Sequence, residues 1–361
     1  MKNNDVLVSS LPVKPQNITN VGMMMAPTVM NFIGDALDCN KMISFNTLHS
    51  YSDKEEELDV YLHDVKQSGI SYDKIFIDSD NANKLLGYAE EMYYNKQIIP
   101  KNKTIVRCDC GKVDLEKSAV NGNAKLYSVK NGKIICNHCN SECKEYNEDS
   151  LVLEVNREKQ IAMVPNYLNQ DINSINQSFL GKDILISKGR DTNYSLSING
   201  RNYNIDIDFL WSNYFKLFDE KTQIYIASNH QLFAMFYMNY IASISSKKNL
   251  IFVATPYLNV DLKKAWEEYS FRESKEYKSL LLLYNMRWRN KNCNWSESVA
   301  SFLSTISDTK LKNLYKSMIM EANQYLEQEI SAKTLNEAID KSTNMQNNIK
   351  VMKRYYKEGL L

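Results

Sequence analysis

The sequence holds no run near the roughly 18 uninterrupted apolar residues that a spanning helix needs, so no membrane segment is expected. It has no excess of basic charge either. With 44 Lys and Arg against 43 Asp and Glu, the net charge is +1, and no global field draws the chain onto nucleic acid. Any RNA contact must come from a local patch such as Arg287-Trp288-Arg289-Asn290-Lys291 or Lys350 to Lys357. Histidine is scarce: His49, His63, His138 and His230 are the only four, and they form no cluster in sequence. Repeats and low-complexity linkers are missing. The start, Met1-Lys2-Asn3-Asn4-Asp5, runs into Val6-Leu7-Val8, too short an apolar stretch for a secretory signal. These absences point to a cytoplasmic protein.

The chain is long enough, at 361 residues, for two or three cores, and 43% hydrophobic with 24% charged residues is an ordinary globular balance. Five of its seven cysteines fall between positions 108 and 143. Clustered cysteines in a reducing compartment argue for metal rather than disulfides. Cys108-Asp109-Cys110-Gly111 and Cys136-Asn137-His138-Cys139-Asn140 are two close pairs, and a hairpin between them brings four thiolates to tetrahedral corners. The expected ligands of a structural Zn2+ are therefore Cys108, Cys110, Cys136 and Cys139, with Cys143 or His138 as substitutes for one of them. Gly111 and Asn140 suit the tight turns, and Arg107, Lys112 and Lys133 are expected to favour thiolates. Cys39 and Cys293 stand alone and read as buried small apolar residues.

Residues 5–11 and 41–46 read as buried strands, with an apolar, Met-rich helix over 21–37 between them. Further helices are expected over 55–67 and 81–97, and a short strand over 73–78. Ile224–Ala227 and Leu250–Ala254 are parallel strands flanking a helix at 230–245, a βαβ unit. From about 274 onward the pattern is helical. The expected fold is α/β: a Rossmann-like parallel sheet, a zinc-ribbon insertion and a helical C-terminal domain. Its boundaries are 1–103 and 148–262 for the two Rossmann halves, 104–147 for the insertion and 263–361 for the helices.

In this order the pieces resemble a class I aminoacyl-tRNA synthetase, closest to methionyl-tRNA synthetase. Val6-Leu7-Val8-Ser9-Ser10-Leu11-Pro12 resembles the family's first strand, which ends in Ala-Leu-Pro. Asn20-Val21-Gly22-Met23 falls where the His-Ile-Gly-His signature belongs, and Asp183 to Arg190 resembles the Asp-Trp-Asp-Ile-Ser-Arg run. Ile70 to Asp73 resembles the lead-in to the zinc insertion. Tyr277 to Leu314 resembles the start of the helical domain.

The resemblance implies ATP with Mg2+, an amino acid and an aminoacyl-adenylate. It assigns phosphate contacts to Asn20, Gly22, Lys263 and Lys264, with Asn20 and Lys263 as the catalytic donors. It assigns the amino acid to Leu11, Val13, Lys14, Asn46, Asp206, Asn229 and His230. Both ATP signatures have decayed: Met23 cannot donate a hydrogen bond, and Trp266 and Glu267 follow Lys263 and Lys264 where a second lysine belongs. An Asp206 carboxylate in place of the family's pocket Trp would select an amine or hydroxyl over a thioether. The alternation of Asn204, Asp206 and Asp208 with Ile205 and Ile207 also reads as a half-exposed strand. Fewer than 100 residues follow the second signature, too few for an anticodon-reading bundle. The implied activity is adenylation with transfer to a small nucleophile or carrier rather than tRNA charging, as in natural-product pathways where such domains accompany a metal-binding cupin. The alternative is a catalytically inactive paralogue that binds a ligand, RNA or a protein.

Overall fold

The computed structural model describes residues 3–13, 21–48, 54–117, 126–189, 194–258, 274–286, 288 and 290–361. Among the described residues, six parallel strands form the main sheet. They are β1 (Asn3–Val13), β2 (Cys39–Phe45), β3 (Lys74–Ile77), β9 (Met163–Val164), β13 (Thr222–Ser228) and β14 (Asn249–Thr255), in the order β3-β2-β1-β13-β14-β9. Both faces are covered, so the strands are nearly continuous apolar runs. Val6, Val8, Ile224, Ile226, Ile251 and Val253 face one core, while Leu7, Met42, Tyr225 and Phe252 face the other.

Helix α1 (Val21–Leu37) lies in the first core and carries Pro27 in its interior. Proline has no N–H for the Met23 carbonyl four residues back. The Tyr61 hydroxyl, from α2 (Lys54–Gln67), donates to that carbonyl at 3.3 Å instead. The second core is closed by α3 (Ala82–Tyr94), α4 (Asn169–Phe179), α5 (Ile207–Trp211) and α6 (Leu232–Ser245).

The helical end comprises α7 (Lys275–Asn285), α8 (Glu297–Ser304), α9 (Asp308–Leu326), α10 (Ala332–Ser342) and α11 (Met345–Lys357). Leu280 to Leu283, Leu314 and Met318 join the first core. A polar knot ties this end to the sheet. The Lys41 ammonium donates to Asp35 at 2.5 Å and to Ser71 at 2.7 Å, and the Tyr315 hydroxyl of α9 donates to Asp35 at 3.1 Å.

Between the two halves an antiparallel ribbon leaves the body. Its arms are β4 (Ile98–Arg107) and β8 (Lys144–Glu154), paired from Ile98↔Leu153 to Arg107↔Lys144. Strands β5 (Asp114–Glu116) and β10 (Asp183–Leu185) flank them. The tip carries the hairpin β6 (Tyr127–Lys130) and β7 (Lys133–Cys136), and a second hairpin, β11 (Ser195–Ile198) with β12 (Arg201–Asn204), lies further on. Both turn on Asn-Gly pairs with positive φ: Asn131 and Gly132 at 51° and 78°, Asn199 and Gly200 at 50° and 77°.

The structure differs from the strand expected around Asp206. Strand β12 ends at Asn204, and Asp206 is buried at the N-cap of α5. Its carbonyl accepts the amides of Phe209 and Leu210. Alternating Asp and Ile fits this local geometry equally well. The acids sit at the positive end of the short helix while Ile205 and Ile207 are buried.

Candidate metal centre and ligand crevice

Two turns build the metal centre. The Gly111 amide donates to the Cys108 carbonyl at 2.9 Å with φ +72° at Gly111. The Asn140 amide donates to the Cys136 carbonyl at 2.9 Å with φ 60° at Asn140. The β4–β8 ribbon and the β6–β7 hairpin bring the turns together. Cys108 Sγ lies 3.4 Å from Cys139 Sγ, Cys110 Sγ lies 3.6 Å from Cys136 Sγ, and all four sulfurs lie within 4.8 Å of one another. Four thiolates about 2.3 Å from a tetrahedral zinc stand about 3.8 Å apart, inside that range.

Donor chemistry also fits a cation. Burial pushes the Cys108 thiol far above its usual value, whereas hydrogen bonds from Ser141, the backbone amide first, lower Cys139 to about 6. A divalent ion on the four sulfurs would hold all of them as thiolates. The His138 amide donates to Cys136 Sγ at 3.4 Å. The side chain of His138 is exposed, and Cys143 is buried in the small apolar cluster with Val106, Val113 and Tyr127; neither belongs to the group of four.

Two of the three basic neighbours are committed elsewhere. Arg107 pairs with Asp114 at 3.2 Å and Glu148 at 2.8 Å, and Lys133 pairs with Glu142 at 2.6 Å. The run after β10 docks onto this tip. The Gly189 amide donates to Asp114 at 2.9 Å, and a Cβ at Gly189 would stand 1.7 Å from the Arg107 guanidinium.

The ligand crevice follows from strand order. Connections leave β1 and β13 in opposite directions, which makes the carboxyl ends of these strands a topological switch point, the usual ligand position in doubly wound sheets. Leu11 is buried near the end of β1, Val13 is its last residue, and Gly22 opens α1. Asn46 follows β2. Asn229 and His230 form the turn between β13 and α6. The Asn229 amide donates to the Lys291 carbonyl at 2.6 Å, and the exposed His230 ring stands edge-on to Tyr257 at 4.6 Å. Lys14, Asn20, Lys263 and Lys264 lie outside the described residues.

Sequence reasoning passed over Asp78, which is completely buried behind β3. Its Oδ1 accepts the Thr47 amide at 2.7 Å, the Thr47 hydroxyl at 2.8 Å and the Leu48 amide at 3.1 Å. Burial nonetheless raises its pKa, against the pull of those donors. Among the described residues the other oxygen, Oδ2, has no partner, and neither do Ser10 Oγ, Asn46 Oδ1 or Asn229 Oδ1.

A cavity of about 610 Å³ opens between the cysteine-bearing tip, α4, α5 and α6. Asp206 lines it and pairs with Lys188 at 3.3 Å. Tyr237, also at its wall, was not anticipated. The signal was there in the aromatic spacing Phe233, Phe236, Tyr237 and Tyr240 along α6.

No family model matches the chain, and no curated protein matches it either. Among solved structures it is similar to the methionyl-tRNA synthetase of Mycobacterium tuberculosis bound by methionyl-adenylate. The TM-score is 0.63 at 12% identity, over 99% of this chain and 84% of that one. The apo form of the same enzyme gives 0.63 at 11%, over 98% and 81%. The chain therefore has a methionyl-tRNA synthetase-like fold.

Proposed function

We propose that the chain activates an amino acid with ATP and passes the acyl group to a small nucleophile or carrier rather than charging tRNA in the ordinary way. The observation that carries this reading is the topological switch point between β1 and β13, with Asn46 and the Asn229–His230 turn following the carboxyl ends of β2 and β13. The mycobacterial synthetase of the same fold was solved with methionyl-adenylate.

In the proposed reaction a carboxylate oxygen of the amino acid attacks the α-phosphorus of Mg2+-bound ATP. The new O–P bond forms as the bond to pyrophosphate breaks, and pyrophosphate leaves. An acceptor nucleophile then attacks the carbonyl carbon, and AMP departs. Gly22 at the α1 N-terminus leaves room for a phosphate at the positive end of that helix. Asn20, Lys263 and Lys264 are the proposed phosphate donors, with Asn46, Asn229 and His230 toward the amino acid. Zn2+ on the four cysteines would be structural, since four protein ligands leave no open position for water. In this reading residues 1–103 and 148–262 form the catalytic body, 104–147 the metal-bearing insertion and 263–361 the helical domain.

One observation favours the second reading, an inactive paralogue acting as a binding module. Met23 packs against the apolar core where the signature needs a donor. Losing a transition-state donor costs about 10²–10³ in rate. ATP–pyrophosphate exchange over the twenty amino acids, with ATP binding by calorimetry, separates the two. Exchange with one amino acid is the expected result. Absence of both exchange and ATP binding overturns adenylation.

A further inference from the structure

Two hairpins carry the same turn chemistry on different supports. Asn131 and Gly132 have φ of 51° and 78°, Asn199 and Gly200 have 50° and 77°, and both turns are therefore type I′. All four residues are exposed. Strands β11 and β12 rest on the second core through Leu196, Ile198 and Tyr203, and the Asn199 side-chain amide donates to the Tyr93 hydroxyl at 3.3 Å. Strands β6 and β7 pack on the small cluster of the tip through Tyr127, Ile134 and Cys136, and Val129 is left 60% exposed. A two-stranded hairpin without a large core behind it is marginal in water. Its anchor at Cys136 thus decides whether the Asn131-Gly132 turn stays formed.

That turn controls a covalent reaction. In an Asn-Gly link the glycine nitrogen can attack the asparagine side-chain carbonyl carbon. A C–N bond forms, the side-chain nitrogen leaves as ammonia with the glycine amide proton, and water opens the resulting succinimide to aspartate or isoaspartate. Attack needs a ψ at the asparagine of opposite sign to the positive ψ of a type I′ turn. A formed turn therefore protects the link, and an open one exposes it. Asp-Gly still suits the turn, but isoaspartate places an extra methylene in the backbone, which a two-residue turn cannot absorb.

We propose that Asn131 is a metal-gated modification site. Zinc on the four cysteines keeps the turn closed and the asparagine intact. Loss of zinc commits the link to isoaspartate, after which the hairpin and the metal site do not re-form. The inference rests on the structural-zinc reading above.

The test ages the zinc-loaded full chain and the same chain in chelator at mildly alkaline pH, and maps isoaspartate by mass spectrometry of peptides. Those bearing Asn131, Asn199 and Asn121 are followed separately, since Asn121-Gly122 lies outside the described residues. Asn131 should react at least about tenfold faster without zinc, and Asn199 at one rate in both. Cys136→Ser, which removes a ligand with no chelator present, should match the chelated parent. When zinc is restored, the aged parent should regain less metal the more isoaspartate it carries at position 131. Asn131→Gly, which keeps the turn type and cannot deamidate there, should regain all of it. Equal rates at Asn131 with and without zinc, equal acceleration at Asn199, or incomplete recovery by Asn131→Gly overturns the gating and leaves the zinc reading standing. A parent that holds no zinc overturns both.

Discussion

Asp78 accepts three hydrogen bonds on one carboxylate oxygen and, among the described residues, none on the other. Burial is the largest influence on it and holds its pKa above the usual carboxylate range. The sign follows directly. The folded state prefers the neutral acid, so stability is full below the unfolded value of about 4 and declines as pH rises and the charge is forced on. Asp78→Asn keeps an acceptor for Thr47 and Leu48 and removes the buried charge. Its urea midpoint should exceed that of the parent at pH 8 and converge with it near pH 4. A lower midpoint at pH 8 would mean that a bound cation or donor holds the charged form. Neither the burial nor this role shows in the sequence, where Asp78 is one of several acids around a short strand. A side chain's desolvation depends on what the fold lays over it.

At the scale of elements, the ribbon is clamped where it leaves the body. Lys101 bridges Glu154 at 2.5 Å and Asp183 at 3.0 Å, and Lys103 bridges Glu116 at 3.0 Å and also Asp183. The Lys101 hydrogen bond lowers the pKa of Glu154. Asp183 is also lowered, because Lys103 and Lys101 outweigh its burial. Depressed carboxylates contribute stability that is present above about pH 4 and lost as pH falls through their folded values. Amide exchange in β4 and β8 should therefore accelerate below pH 4, and Asp183→Asn should bring that faster exchange to pH 7. Unchanged exchange in the variant would show that backbone pairing alone holds the ribbon. The main sheet was legible because hydrophobic period and length suffice for buried strands and long helices: β1, α1, β2, β13, α6 and β14 fall where the apolar runs of the sequence lie. The four-cysteine spacing was legible for the same local reason. The clamp was not, since Lys101 and Asp183 are distant in sequence and meet only through the β8 register. The two hairpins could have been read from Asn131-Gly132 and Asn199-Gly200, since few other residue pairs take positive φ twice in succession.

At the scale of the whole molecule, the metal-bearing tip has a core of its own. Val106, Cys108, Val113, Leu115, Tyr127, Cys136 and Cys143 form a cluster separate from the two that flank the main sheet. A cluster this small offsets little of the conformational entropy of its loops, and a structural zinc on the four cysteines would supply about 10 kcal/mol or more of apparent binding. The flanking cores are large and contain none of the four clustered thiols. Removing the ion with a chelator, or removing one ligand by Cys136→Ser, should therefore release residues 104–147 and leave the sheet folded. Metal analysis should find one zinc per chain in the parent and a loss of tight binding in the variant. Hydrogen exchange should rise across β6 and β7 to nearly unprotected rates while β1, β13 and β14 keep their protection. The 610 Å³ cavity carries this separation beyond the tip, since Gly111, Leu115 and Leu126 form part of its wall and α6 another part. Chelation should thus strip exchange protection from the tip side of that wall while α6 keeps its own. Equal loss of both would mean that the tip and the sheet unfold as one unit.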